Sequence, residues 1–370
     1  MAHTDEAASL TVVPVREGAR GLAPHAIGVL SVFGAAHVVV DAISAAAVVS
    51  IVWTAAANPK VLVGWILLYH VLAFGLQAVF GLVVDALDAP RWAAVCGCLV
   101  TACAVLVPWS PLLAAILAGV GNAAFHVGGG AISLRLAPQR ATPPGLFVAS
   151  GSLGILLGVI LGGSHSAGLA TLLPVAAIAC GLMVFVPLPA APPVAPAVRV
   201  AGRSELILGL VLFAIAVRAA LGFLVEFPWE SQPGLVVQLT LATVLGKSLG
   251  GVLADRWGWL RVGVGATLTA LPFLVWASAY PTAAIPGLLL LNLTMPVTLA
   301  AVAKAVPNRP GFAFGLASLA FVLGAIPALS GLPAAGPVVA GVASLLSAAA
   351  LYRALTWLSS CDACPQTLQV

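Results

Sequence analysis

Gly81-Leu-Val-Val-Asp85, followed by Arg91, recurs 170 residues later as Gly251-Val-Leu-Ala-Asp255, followed by Arg261. The same offset pairs Asn122 with Asn292, and Gly145, Leu146, Leu153 and Gly154 with Gly315, Leu316, Leu323 and Gly324. Matches of Gly or Leu alone carry little weight in so biased a chain. The Gly, Asp and Arg set together with the Asn pair is hard to obtain by chance. The chain therefore reads as two copies of one unit.

Composition says what medium that unit lives in. Of 370 residues, 62% are hydrophobic and 7% charged, against roughly 25% charged in a soluble domain. No soluble core can bury so much apolar surface, so the solvent is lipid. Gly (38) and Pro (27) are frequent, as in membrane helices that pack closely or kink. The net charge of +4 is small and its basic residues are scattered, which argues against a nucleic-acid partner.

A spanning helix needs about 20 apolar residues. The charged and Pro/Gly breaks predict twelve, at about 24–53, 61–84, 91–109, 111–134, 144–163, 168–188, 205–225, 234–254, 260–280, 283–304, 311–332 and 335–357. The first 21 residues are polar (Asp5, Glu6, Arg16, Glu17, Arg20). The apolar run after them is too long for a signal peptide and reads as the first span. With the N-terminus inside, twelve of the fifteen basic residues fall on the cytoplasmic side, from Arg16 and Arg20 to Lys304, Arg309 and Arg353. Lys60 falls outside, and Arg218 and Lys247 fall within spans.

The expected architecture is thus all-α and integral to the membrane, with two six-helix pseudo-repeats. A cytoplasmic tail (1–21) precedes a first bundle (22–188). The Pro/Ala-rich linker 189–203 leads to a second bundle (204–358) and a cytoplasmic tail (359–370). A multi-pass monomer in the inner (plasma) membrane follows, with both termini cytoplasmic. Parallel repeats related by an axis along the membrane normal are a known transporter plan.

Gly246-Lys-Ser-Leu-Gly-Gly-Val-Leu-Ala-Asp-Arg-Trp-Gly258 resembles the loop signature of the major facilitator superfamily. The first-half copy departs from it: no Arg follows Asp85 directly, and Asp88 and Pro90 interrupt it. His37-Val-Val-Val-Asp41 and Gly121-Asn-Ala-Ala-Phe-His126 further resemble the fosmidomycin-resistance-like branch, which contains drug exporters. The resemblance implies a major facilitator fold of twelve transmembrane helices and a secondary transporter whose halves rock around a central site. It also implies that Gly81, Asp85, Arg91, Gly246, Lys247, Gly251, Asp255, Arg256 and Arg261 form a cytoplasmic gate and helix-end cap rather than bind substrate. Asp near a helix start also suits the helix dipole.

Ionisable residues inside spans are costly and mark function. His37 and Asp41 stand at i, i+4 on one helix face. They read as a proton-coupling pair or substrate contact, or else as a hydrogen-bonded pair that fixes packing. His126, just before Gly128-Gly-Gly130, reads either as facing the cavity or as a structural contact, with Asn122 one turn away as a further donor. Arg218 suits an anionic substrate, or a salt bridge to Asp41 or Glu226. Gln77 and Asn292 are expected to line the pore, and Pro296 to kink its helix with help from Thr294. Tyr69-His70 is a further polar feature. His165 is expected at the outer surface, and the aromatics of Glu226-Phe-Pro-Trp-Glu230 in an interfacial belt.

Cys96, Cys98, Cys103 and Cys180 read as small hydrophobes. Cys361 and Cys364 form a lone C-x-x-C, weak evidence for a metal or redox site. No cofactor and no metal is expected. Gly246-Lys247-Ser248 looks like the end of a phosphate-binding loop, but position 241 is Leu rather than Gly. No protease or hydrolase motif appears, so enzymatic activity is not expected. The leading expectation is a proton-coupled exporter of a drug or metabolite, with a small molecule, protons and lipid as partners. The alternatives are an importer or facilitator of an organic anion or nutrient, and a transporter-like scaffold or sensor that carries nothing.

Overall fold

Proline opens most of the helices. Pro24, Pro59, Pro90, Pro111, Pro281 and Pro310 each occupy a first helical position, where a missing N–H costs nothing. In the computed structural model these and the apolar runs behind them form twelve helices. The structure describes residues 21–163, 169, 171–189, 203–225, 227–229, 232–276, 279–333 and 336–362.

The helices are α1 Pro24–Trp53, α2 Pro59–Leu87, α3 Pro90–Leu106, α4 Pro111–Leu136, α5 Thr142–Gly163 and α6 Leu172–Phe185. They continue as α7 Ser204–Leu224, α8 Pro233–Trp257, α9 Trp259–Val275, α10 Pro281–Ala305, α11 Pro310–Leu329 and α12 Pro337–Asp362. Nine are long and apolar enough to cross a membrane, and α3, α6 and α9 are shorter apolar helices. α10 continues through Pro286 and Pro296 without ending. The linker positions 190–202, His165, Glu226, Glu230, Cys364, the side chain of Cys361, and positions 1–20 and 363–370 lie outside the described residues.

Each bundle is built on close pairs: α1 on α5 and α3 on α4 in the first, α8 and α9 on α10 in the second. On α1, Val29, Phe33, Ala36, Val40 and Ile43 recur at helical spacing and are all buried. Large apolar side chains such as Ile160, Ile178, Phe185 and Val342 point outward, exposed. A surface of this kind suits lipid, which does not penalise apolar exposure.

The halves meet through α2 on α11 and α5 on α8, two contacts that exchange under the 170-residue offset. At one end of this interface each half caps a helix of the other. Asp85, on α2, accepts the N–H groups of Gly311 and Phe312 at 2.9 and 2.8 Å. Asp255, on α8, accepts those of Ala141 and Thr142 at 2.7 and 3.0 Å. A carboxylate on the free amides of a helix start satisfies donors that have no intrahelical partner and meets the positive end of the dipole. Gly81 and Gly251 let the backbones touch: a Cβ at Gly81 would overlap the Gly311 carbonyl, and one at Gly251 the Ala141 carbonyl.

The other members of the expected gate behave differently. Arg91 donates to the backbone carbonyls of Val184 and Val186, so it ties α3 to the end of α6 within one half. Arg256 and Arg261 are exposed. The cations that reach the capping aspartates are Arg135, 3.8 Å from Asp85, and Arg140, 3.5 Å from Asp255. Asp88, which interrupts the first-half signature, closes α2 in the left-handed conformation (φ 47°) and pairs with Arg135 at 2.5 Å. Phe227 and Trp229 pack inward on Leu274 and Leu291 rather than forming a belt.

Candidate functional site

A cavity of about 350 Å³ lies between the halves. Its lining runs from Phe314, one turn into α11 near the capped end, to Phe223 at the far end of α7. The first half contributes His37, Asp41 and His126, and the second Arg218, Lys247 and Asn292. Phe74, Phe223 and Phe321 add an aromatic wall, with Phe321 at 5.3 Å from Phe74 and 5.7 Å from Phe223 between ring centroids.

The first-half cluster is tightly specified. His37 Nδ1 lies 2.8 Å from the Phe147 carbonyl, and His126 Nδ1 lies 2.9 Å from the Asn122 carbonyl. A carbonyl only accepts, so both Nδ1 atoms carry hydrogen. In the neutral rings both Nε2 atoms would then be bare lone pairs. Yet they face each other at 2.8 Å, a hydrogen-bonding distance that two acceptors cannot hold. A proton shared between them would resolve the conflict, with the Asp41 carboxylate beside it as the matching negative charge. Its Oδ2 is 3.2 Å from His37 Nε2 and its Oδ1 is 3.7 Å from His126 Nε2. Asn122 donates to Asp41 Oδ1 at 2.8 Å, and Phe147 stacks on His37 at 4.5 Å. Gly151 closes the site: a Cβ there would strike both Asp41 Oδ2 and His37 Nε2.

The second half brings two cations. Lys247 Nζ donates to Ser152 Oγ at 2.7 Å, reaching across from α8 to α5. Arg218 is half-buried, and its Nε is shut off from solvent without a hydrogen-bond partner. Among the described residues no carboxylate pairs with either of them.

Of the residues singled out in the sequence, the structure brings His37, Asp41, His126 and Asn122 into one cluster, and places Arg218 and Asn292 on the facing wall. Two placements are corrected. Lys247 points into the cavity rather than to the capped end, because it sits ten residues before the end of α8. Gly246 beside it packs on Leu289 and Asn292 of α10. Gln77 is fully buried away from the cavity and donates to the Ala73 carbonyl at 2.7 Å. That carbonyl belongs to the π-helical segment Val71–Gly75, where the regular ladder is interrupted. Ser152 was missed, as was the pairing of Gln77 with Lys247 at the 170-residue offset, which marks the two as equivalent positions.

No family model and no curated protein sequence matches the chain. The twelve helices in two interlocked halves around a central cavity define a multi-pass membrane protein of the major facilitator fold. Solved transporters share it. The human organic anion transporter MFSD10 (TETRAN) matches with a TM-score of 0.62 at 18% identity, over 92% of this chain and 99% of that one. A bacterial homologue of the iron transporter ferroportin, in an outward-facing state, matches at 0.63 and 15% identity, over 91% and 100%. The E. coli fucose:proton symporter FucP matches at 0.60 and 11%, over 90% and 98%. All three are transporters rather than enzymes.

Proposed function

We propose that the chain is a secondary active transporter that moves a small molecule by alternating access and is coupled to protons through the His37–Asp41–His126 cluster. One observation carries this: the 2.8 Å contact between two Nε2 atoms whose Nδ1 atoms are both committed as donors. With a proton in place the cluster is a closed network. Without it, two lone pairs and a carboxylate face one another in a low-dielectric site, and the side chains must separate. Protonation thus favours one arrangement of α1, α4 and α5, and a proton biases a carrier only through such a difference between states.

In this reading residues 22–188 and 204–358 are the rocking halves and 189–203 joins them. In the same reading the bias of the basic residues makes the capped end the cytoplasmic one. The likeness of the His37–Asp41 and Gly121–His126 stretches to the fosmidomycin-resistance-like branch favours export by antiport. The test is transport in proteoliposomes under an imposed pH gradient. Gradient-driven flux should be lost in Asp41→Asn and His37→Ala, and intact flux in both would reject proton coupling here.

A second reading, an importer or facilitator of an organic anion, draws on Arg218 and Lys247. Two half-buried cations that pair with no carboxylate among the described residues carry a desolvation cost, and an anionic cargo offsets that cost. Thermal stabilisation by organic anions, abolished in Arg218→Ala, would support it. Unchanged binding of every anion tried would count against it.

A further inference from the structure

The His37–Asp41–His126 cluster has the donor set of a metal site. His37, His126 and Asp41 each present one ligand atom, and these atoms all lie within 4.8 Å of one another. All three side chains line the central cavity. We infer that His37 Nε2, His126 Nε2 and the Asp41 carboxylate bind a divalent first-row transition-metal ion. The inference deepens the reading above, since ion and proton compete for one position.

Geometry supports the assignment. Three ligands on one face of an octahedron with bonds of ~2.1 Å stand about 3.0 Å apart. The separations here are 2.8 Å between the two Nε2 atoms, 3.2 Å from His37 Nε2 to Asp41 Oδ2 and 3.7 Å from His126 Nε2 to Asp41 Oδ1, so a small turn of the carboxylate completes the set. Both imidazoles already donate Nδ1–H to backbone carbonyls, the outer bond that fixes the tautomer and aims Nε2 at a metal. Asn122 fixes the carboxylate in the same way. The three ligands share their cavity with Arg218 and Lys247, so an anionic ligand that accompanies the ion would meet both cations. Two imidazoles and a carboxylate select such ions over Mg²⁺ or Ca²⁺, which prefer oxygen ligands.

The test is titration of the purified full chain with Co²⁺ at neutral pH by calorimetry, in a Cys361→Ser/Cys364→Ser background that removes the tail thiols. One saturable site per chain is expected, with proton release seen as a dependence of the heat on buffer. His37→Gln and His126→Gln should each weaken binding ~10-fold or more. A visible Co²⁺ spectrum on the otherwise unaltered chain tests the ligands without relying on variant folding, and nitrogen and oxygen ligation is expected. Absence of saturable binding, unchanged affinity in both variants, or a thiolate charge-transfer band would overturn the assignment. Proton-driven flux in chelator-treated proteoliposomes is read separately. Absence of saturable Co²⁺ binding with that flux intact rejects the metal site and leaves the transport reading standing.

Discussion

The carboxylate of Asp85 takes the amide of Phe312 at 2.8 Å, and 170 residues later the carboxylate of Asp255 takes the amide of Thr142 at 3.0 Å. Positions 142 and 312 are themselves 170 apart, so the repeat is preserved in the contact as well as in the residues. Each half holds the other by a helix start. Such a contact is reversible, since water can replace the carboxylate once the ends separate.

Removing a cap should therefore release one end. A helix cap contributes about 1 kcal/mol, and that amount changes a two-state ratio roughly fivefold. Asp85→Ala and Asp255→Ala are each expected to shift the carrier toward opening at this end. Spin labels at Leu87 and Trp257, both exposed near the interface, should report longer distances. An unchanged distance distribution in both variants would show that the caps do not hold the end closed.

Gly151→Ala places a methyl against Asp41 Oδ2 and His37 Nε2. A core this tight accepts no extra carbon without moving the imidazole or the carboxylate. Gradient-driven flux should fall to background while the protein still purifies as a folded species. Gly28→Ala, where a Cβ meets nothing within 4 Å, is the control and should transport normally.

Lys247→Met keeps the stem and removes the ammonium. A hydrogen bond to a charged group is worth about 1.5–3 kcal/mol. Apparent affinity for an anionic cargo should drop ~10-fold or more. Ser152→Ala removes only the hydroxyl that Lys247 contacts and should cost less. Competition binding in detergent separates the two. Equal losses would point to a tether between halves instead of a contact to cargo.

Gln77→Leu should leave transport intact. The side chain is buried away from the cavity, with Oε1 unpartnered, so the swap removes an orphan acceptor along with one hydrogen bond. The net effect on thermal stability should stay within about 1 kcal/mol. A large loss of flux would place Gln77 in the transport path after all.

Much of this molecule was legible in its residues. Span positions follow from runs of apolar residues long enough for a bilayer, a local property. The two halves follow from repetition, which needs no knowledge of packing. The pairing of His37 with Asp41 follows from helical spacing on one face. The gate was only partly legible. Asp85 and Asp255 stand out because they recur, but nothing in the sequence says which helix start each meets, or that Arg91 serves its own half.

What the tertiary structure decided is which polar residues share a space. His126 reaches His37 across 89 residues of chain. Lys247 turns into the cavity while its equivalent, Gln77, turns back onto its own helix. In a chain where every helix face is apolar, polarity cannot say which way a side chain points. Rotation of each helix about its axis is set by contacts with its neighbours, such as the Gly151 backbone against the His37–Asp41 pair. The sequence alone therefore determined the twelve helices and their twofold plan. The packing of α1, α4 and α5 determined that two histidines and a carboxylate converge on one position.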